Sequence, residues 1–305
     1  MGLDTLVGLT NLKKQARRDI IASKITREPF PHTLISSVGG TGKTAVARAC
    51  AEDLGYHFIE REAASMNSRS QIIYLLTEAD HEAKQKGKLL LLFVDEVHRL
   101  SLVLQEVFYY PMKEWRVTTK TGMIQFNPFC LFAATTRRDM LDEASFVARF
   151  PNKWDIDRYH WTHLKLIVSQ YFDKEGIQCN QMELEMIARR CLGIPRQAIN
   201  LGLKIRNEVL FRGGSRTVTV QDIMTTFQLE RIDSIGLTEL HTQYLLSLAS
   251  AGVPKGLSSL AGSLGQHQDV ISGSIEPTLL SLNMISMEPR GRVLTEVGRK
   301  HLEVV

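Results

Sequence analysis

The sequence predicts an α/β fold built on a parallel sheet, followed by a small helical domain and a C-terminal unit of helix, turn, helix and wing. Three observations carry this. The run LISSVGGTGKT at 34–44 takes a β-prone segment through a glycine-dense turn directly into a helical segment, AVARACAEDL. The run LLLLFV at 89–94 is unbroken and apolar, as a strand covered on both faces must be, and it ends in two acids. Around residue 155 the β-runs give way to segments with a 3.6-residue apolar period, and the chain closes in a β-turn-β pattern around PRGR.

Taken in order, residues 3–30 predict a helix with a loose apolar stripe of Leu12, Ala16, Ile20, Ile21 and Ala22 and an otherwise basic face. The glycine turn that follows is a phosphate cradle. Gly39, Gly40, Thr41 and Gly42 let backbone N–H groups converge on phosphate oxygens, and the next helix adds its positive N-terminal dipole. Lys43 is placed to reach the β- and γ-phosphates of a nucleotide, and the Thr44 hydroxyl to ligate Mg²⁺. Ser37 stands where G-x-x-x-x-G-K-[ST] has its first glycine, a slot that serine fills if its φ stays negative.

A strand at 56–62 and an amphipathic helix at 68–88 lead to the apolar run, whose C-terminal tip carries Asp95 and Glu96. Open α/β sheets place their ligands at that end of their strands. Asp95 suits the Mg²⁺ shell, and Glu96 suits polarisation of a water attacking the γ-phosphorus. A helix at 102–115 ending near Pro111 and a β-hairpin at 116–126 come next. FCLFAATTRRDM then predicts another buried strand, with Thr136, and Thr135 after it, as the γ-phosphate sensor. Arg149 reads as a finger pointing into a neighbouring subunit's site.

Four helical segments between about 163 and 229 make the small domain, and Pro195 opens the third at its first turn, where proline is tolerated. Arg196 projects from that helix N-terminus toward phosphate. From about Ile235, a helix, two helices joined by LGQHQ, and a wing bearing Arg290 and Arg292 lay out a winged-helix nucleic-acid module, its arginines tilting it toward DNA phosphates. The domains are thus expected at 1–153, 154–233 and 234–305.

Composition excludes other classes. Of 305 residues, 44% are hydrophobic and 23% charged, and a net charge of +4 permits an anionic partner without demanding one. No apolar run reaches membrane-span length, no signal-peptide layout precedes residue 10, and Val7 sits where a myristoylation signal needs Ser or Thr; a cytoplasmic location is expected. Cys50, Cys130, Cys179 and Cys191 are too scattered for a metal or disulfide framework and read as reduced thiols.

The strings LDTLVG, GGTGKT, FVDEVHRL, AATTR, RF at 149–150, GIPRQAI, IEPTLL and PRGRVLTE resemble, in order, those of the RuvB family of Holliday-junction branch-migration motors, which are AAA+ P-loop ATPases. The resemblance implies a large ATPase domain, a helical lid and a winged helix. It also implies Walker A at Lys43 and Thr44, Walker B at Asp95 and Glu96, sensor 1 at Thr136, a trans-acting finger at Arg149, sensor 2 at Arg196, and DNA contacts from Arg290 and Arg292. The activity it implies is ATP hydrolysis with Mg²⁺, coupled as a helicase-translocase to branched or double-stranded DNA in recombination and repair, by a homo-oligomeric, six-membered ring. Two alternatives stay open: a clamp-loader or helicase-loader switch, and a DNA-binding scaffold with a degenerate ATPase.

The sequence departs from the family at four places. S-V-G-G-T-G-K-T replaces G-P-P-G-x-G-K-T. An Arg-Pro segment that helps seat the adenine in the family has no counterpart ahead of Leu3. The family's P-L-R-x-R-F reads SFVARF, which leaves Arg149 as the finger. The hairpin at 116–126 is shorter than the one with which the family meets its RuvA adaptor, so another adaptor or none is expected.

Overall fold

Along the first part of the chain run α1 (Thr10–Thr26), β1 (Thr33–Ser37), α2 (Lys43–Leu54), β2 (His57–Glu62), α3 (Arg69–Gln85), β3 (Leu90–Asp95), α4 (Leu102–Glu106), α5 (Tyr109–Glu114), the hairpin strands β4 (Arg116–Thr119) and β5 (Gly122–Gln125), β6 (Phe129–Thr135) and β7 (Asn152–Ile156). The computed structural model describes residues 2–120 and 122–303, so Met1, Thr121, Val304 and Val305 lie outside the described residues. Two compact units emerge: Met1–Ser37 with Gly42–Asp157, and Val38–Thr41 with Arg158–Val305.

The frame of the first unit is a five-stranded sheet in the order β2-β3-β6-β1-β7, parallel at every pairing. Leu90 to Val94 and all of β6 are buried, which is why these strands read as unbroken apolar runs rather than alternating ones. A leucine or phenylalanine fully withdrawn from water contributes about 1.5–3 kcal/mol, so this central pair holds the sheet's ends in register.

Two local expectations are corrected, and one strand is new. The buried stripe of α1 is Leu12, Ala16, Ile20 and Ser23, while Ile21 and Ala22 face out. Residues 102–115 form two short helices, and Pro111 lies in the first turn of the second instead of ending it, because no intrahelical N–H is required there. The fifth strand, β7, gave no apolar run to read. It is an edge strand with only Trp154 and Ile156 buried, and Trp154 docks edge-on to Phe132, with ring centroids 5.8 Å apart.

The second unit contains α6 (Trp161–Glu175), α7 (Gln181–Arg189), α8 (Pro195–Arg212) and α9 (Val220–Leu229), whose apolar faces share one core that includes Leu164, Phe172, Ile187, Ile205 and Phe227. Pro195 opens α8 as the sequence predicts. A reciprocal capping box starts α9: Thr219 Oγ1 accepts the Asp222 N–H at 3.2 Å, and Asp222 Oδ2 accepts the Thr219 N–H at 2.8 Å.

A separate core of Leu237, Tyr244, Leu260, Ile271, Leu279, Ile285 and Leu294 lies under the remaining elements. These are α10 (Glu239–Ala251), α11 (Leu257–Ser263), α12 (Gln268–Val270), α13 (Glu276–Ser281), β8 (Ile285–Glu288), β9 (Gly291–Leu294) and α14 (Glu296–Leu302). One π-turn, Ile271–Ile275, joins α12 to α13 just before Pro277, whose missing N–H breaks the regular ladder. β8 and β9 pair antiparallel as the wing. Among the described residues, no helix is long and apolar enough to cross a membrane.

Candidate functional site

The cradle begins where β1 ends. Ser37 is the last residue of that strand and keeps a negative φ, which meets the condition for a serine in the glycine slot. Gly42, at φ 100, turns the chain into α2, a backbone angle that a side chain would strain. Thr41 Oγ1 donates to the Val38 carbonyl at 3.1 Å and closes the loop on itself. Helix α2 then starts at Lys43, so its first N–H groups open toward the loop. Lys43 is only 7% exposed, at the helix end whose dipole opposes cations. A lysine there gains nothing from the helix dipole.

The acids stand two strands away. β6 lies between β1 and β3, so the C-terminal ends of three neighbouring parallel strands bring Ser37, Thr136 and Asp95-Glu96 to one edge of the sheet. Asp95 ends β3, and its Oδ1 accepts the Glu96 N–H at 2.9 Å. Glu96 follows with φ 51, a left-handed angle that costs a non-glycine residue about 1 kcal/mol or more and re-aims the side chain off the strand. Thr136 Oγ1 donates to Glu96 Oε2 at 2.8 Å. His98, which the sequence reading passed over, puts Nδ1 3.1 Å from the same oxygen. Burial lowers the His98 pKa, against the opposite pull of Glu96, and Arg99 and Arg137 lower it further.

Phosphate chemistry of this kind uses Mg²⁺, and the residues fit it. Thr44 and Asp95 offer a hydroxyl and a carboxylate at the same sheet edge, while no group of three or more His, Cys, Asp or Glu among the described residues makes a closed cage. One or two protein oxygens plus substrate phosphates and water is the pattern Mg²⁺ prefers. Bound there, the ion would neutralise charge on the phosphate oxygens.

Two arginines make other contacts. Arg149 lies with its guanidinium over the Tyr109 ring, 4.1 Å from the centroid, and its buried Nε has no hydrogen-bond partner. Tyr109 is itself fixed by donating to Ser145 Oγ at 2.7 Å. Within the second unit, the Arg196 backbone N–H at the start of α8 donates to the Gly40 carbonyl at 3.1 Å.

Comparison with known proteins agrees with this geometry. The profile of the Holliday junction DNA helicase RuvB P-loop domain matches residues 1–154, and that of the RuvB C-terminal winged helix domain matches residues 234–303. The chain belongs to the RuvB family. It is 30% identical to the Holliday junction branch migration complex subunit RuvB of Thermotoga petrophila, over 99% of this chain and 90% of that one. It is 31% identical to the subunit of the same name from Synechococcus sp. (strain RCC307), over 97% and 87%. The solved structure of the Thermotoga maritima RuvB Holliday junction branch migration motor superposes with a TM-score of 0.88 at 28% identity, covering 99% of this chain and 97% of that one. The FIGL-1 AAA domain, at 20% identity and a TM-score of 0.59, shares the fold alone.

As in other RuvB-family chains, a winged helix closes the sequence, and here one expectation is corrected. Arg290 is exposed in the turn between β8 and β9, but Arg292 is not free for a ligand. Its Nε and Nη2 donate to Glu276 Oε1 and Oε2 at 2.7 and 3.1 Å, and Tyr244 donates its hydroxyl to the same carboxylate at 2.8 Å. The Glu276 side chain is 3% exposed, so Arg292 neutralises a buried acid. The alternation of the wing could not reveal this, because the partner lies sixteen residues upstream. Arg292→Ala is expected to lower folding stability by about 3 kcal/mol by leaving that carboxylate unpaired, read as a fall in the urea midpoint.

Proposed function

We propose that this chain is an ATP-hydrolysing subunit of a ring motor that drives branch migration of Holliday junctions and related branched DNA. The observation that carries the proposal is that Ser37, where the chain turns toward Lys43, Thr136 and Glu96 stand at the ends of three adjacent parallel strands, with Glu96 held by Thr136. In this reading Gly39, Gly40, Thr41, Gly42 and Lys43 bind the triphosphate, and Thr44 and Asp95 hold Mg²⁺. Glu96 takes the proton of the attacking water, Thr136 senses the γ-phosphate, and Arg149 and Arg196 stabilise charge that develops on it.

Arg149 acts on a neighbour's nucleotide, which makes the assembly a homo-oligomeric ring, six-membered as the family resemblance implies. The parts are an ATPase domain at 1–153, a lid at 154–233 and a DNA-binding winged helix at 234–305. Arg290 is the wing's contact with a phosphate. The short hairpin favours a motor that uses an adaptor other than RuvA, or none.

The test is ATP hydrolysis by the purified chain with and without a four-way junction, together with gel-resolved migration of that junction. Junction-stimulated turnover and strand exchange are expected. Turnover indifferent to DNA would favour a loader, and no turnover a scaffold. Arg290→Ala should leave the urea midpoint unchanged, weaken duplex binding uniformly across sequences, and reduce the slope of log affinity against log salt by about 1.

A further inference from the structure

The guanidinium of Arg149 is held by a ring. It lies over Tyr109, 4.1 Å from the ring centroid, and its buried Nε has no hydrogen-bond partner. Among the described residues it has this aromatic neighbour and no carboxylate one. A directed relay ties the ring down. Tyr109 donates its hydroxyl to Ser145 Oγ at 2.7 Å, and Ser145 donates its own to Asp142 Oδ2. Asp142 Oδ1 accepts the Ala144 and Ser145 N–H groups, each at 3.1 Å, and the Asp142 carbonyl accepts those of Phe146 and Val147 at 3.0 and 2.9 Å. The buried amide of Gln105 in α4 fastens this turn in place. Its Oε1 accepts the Asp142 N–H at 3.3 Å, and its Nε2 donates to the Leu100 carbonyl at 3.0 Å.

We propose that Tyr109 is the positioning residue for the arginine finger: its face fixes the plane of the Arg149 guanidinium and leaves the donors at the edge of that plane to meet a neighbouring chain's phosphate. This rests on the ring-ATPase reading above. Arginine recognises phosphate through two parallel N–H groups, so the orientation of the plane decides whether both reach. A long, unrestrained side chain would have to be ordered at the moment of reaction, at the expense of transition-state binding. A carboxylate partner would order it but would occupy its donors and offset its charge. An aromatic face orders it and uses none of the N–H groups. Arg149 also closes the one-turn 3₁₀ segment Val147–Arg149, its N–H donating to the Phe146 carbonyl at 3.1 Å. The Phe146 ring lies within 24° of parallel to that of Tyr109, centroids 6.5 Å apart, so the backbone and the side chain of the finger are referred to the same aromatic pair.

The electrostatic part of this contact can be changed at nearly constant shape. Tyr109→Phe is followed by mono-, di- and trifluorinated phenylalanine at the same position, each fluorine drawing negative charge from the ring faces. These chains, wild type, Tyr109→Leu, Glu96→Gln and Arg149→Ala are compared for kcat, KM for ATP, affinity for a fluorescent nucleotide, and thermal midpoint, with a four-way junction present. Tyr109→Phe loses only the hydroxyl and should keep kcat within about threefold of wild type. Through the fluorinated series kcat is expected to fall stepwise, by about 3- to 30-fold in all, the worth of a cation–π contact, with KM and nucleotide affinity within about twofold. Tyr109→Leu should lower kcat about 10- to 100-fold, as a misplaced group does. Its base is sound and its finger is not. Mixed with Glu96→Gln chains it should therefore exceed the mean of the two components, and mixed with Arg149→Ala chains it should not.

Beside an active wild type and a dead Arg149→Ala, a fluorinated series of constant kcat would overturn the proposal and leave the ATPase reading standing, whether or not the leucine variant folds. A folded Tyr109→Leu that gains nothing from Glu96→Gln chains would overturn it as well. An Arg149→Ala chain as active as wild type would remove the finger, and its seat with it. A wild type without turnover under any DNA condition would remove the ATPase reading, and this proposal with it.

Discussion

Replacing Glu96 by glutamine is expected to lower ATP turnover by about 10²- to 10⁴-fold, the range a positioned general base supplies, and to leave nucleotide affinity unchanged. The side chain keeps its size and its acceptor oxygen toward Thr136, so the anchor at 2.8 Å survives while the proton-accepting carboxylate is lost. The loss should therefore fall on kcat alone, as expected for an interaction made in the transition state. Lys43→Ala is the contrasting control, because it removes the ammonium at the head of α2 and is expected to weaken nucleotide binding itself. Steady-state turnover and equilibrium binding of a fluorescent nucleotide separate the two. Unchanged turnover in Glu96→Gln would remove the hydrolytic role of this sheet edge.

Arg149→Ala comes next in size. A finger that stabilises the transferring phosphoryl group is worth about 10³- to 10⁵-fold in rate, so turnover in the homogeneous variant should fall to near background. Its stacking on Tyr109 makes part of this loss one of geometry, and Arg149→Lys, which keeps charge but not the planar stack, should be nearly as impaired. The decisive measurement is mixing. Glu96→Gln chains carry a sound finger and Arg149→Ala chains a sound base. If the finger serves a neighbour, mixed rings regain turnover at every interface that pairs the two intact halves. A mixture no more active than its components would make Arg149 a residue of its own chain's fold.

Periodicity and turn chemistry placed most elements. The apolar runs that became β3 and β6, the glycine turn into α2, Pro195 at the start of α8 and the wing are local features, set by spacing and backbone chemistry. β7 escaped because an edge strand buries few residues and shows no run. Of the candidate site, the placement of Asp95-Glu96 and Thr136 was legible because each pair or residue stands at a strand end, and parallel sheets gather such ends on one edge. The approach of His98 to Glu96, 3.1 Å from Nδ1 to Oε2, was not, since a histidine two residues past a glutamate can face anywhere until the 3₁₀ turn sets its direction.

The wing makes the same division. By itself the sequence determined the wing's hairpin and the basic character of its arginines, because alternation and charge are properties of neighbours in the chain. Only the tertiary structure decided that Arg290 stays in water while Arg292 turns inward to a buried glutamate. The reason is desolvation: Glu276 lies inside the core beneath the wing, and a carboxylate removed from water must be matched by a cation within hydrogen-bond reach, whichever part of the chain provides it.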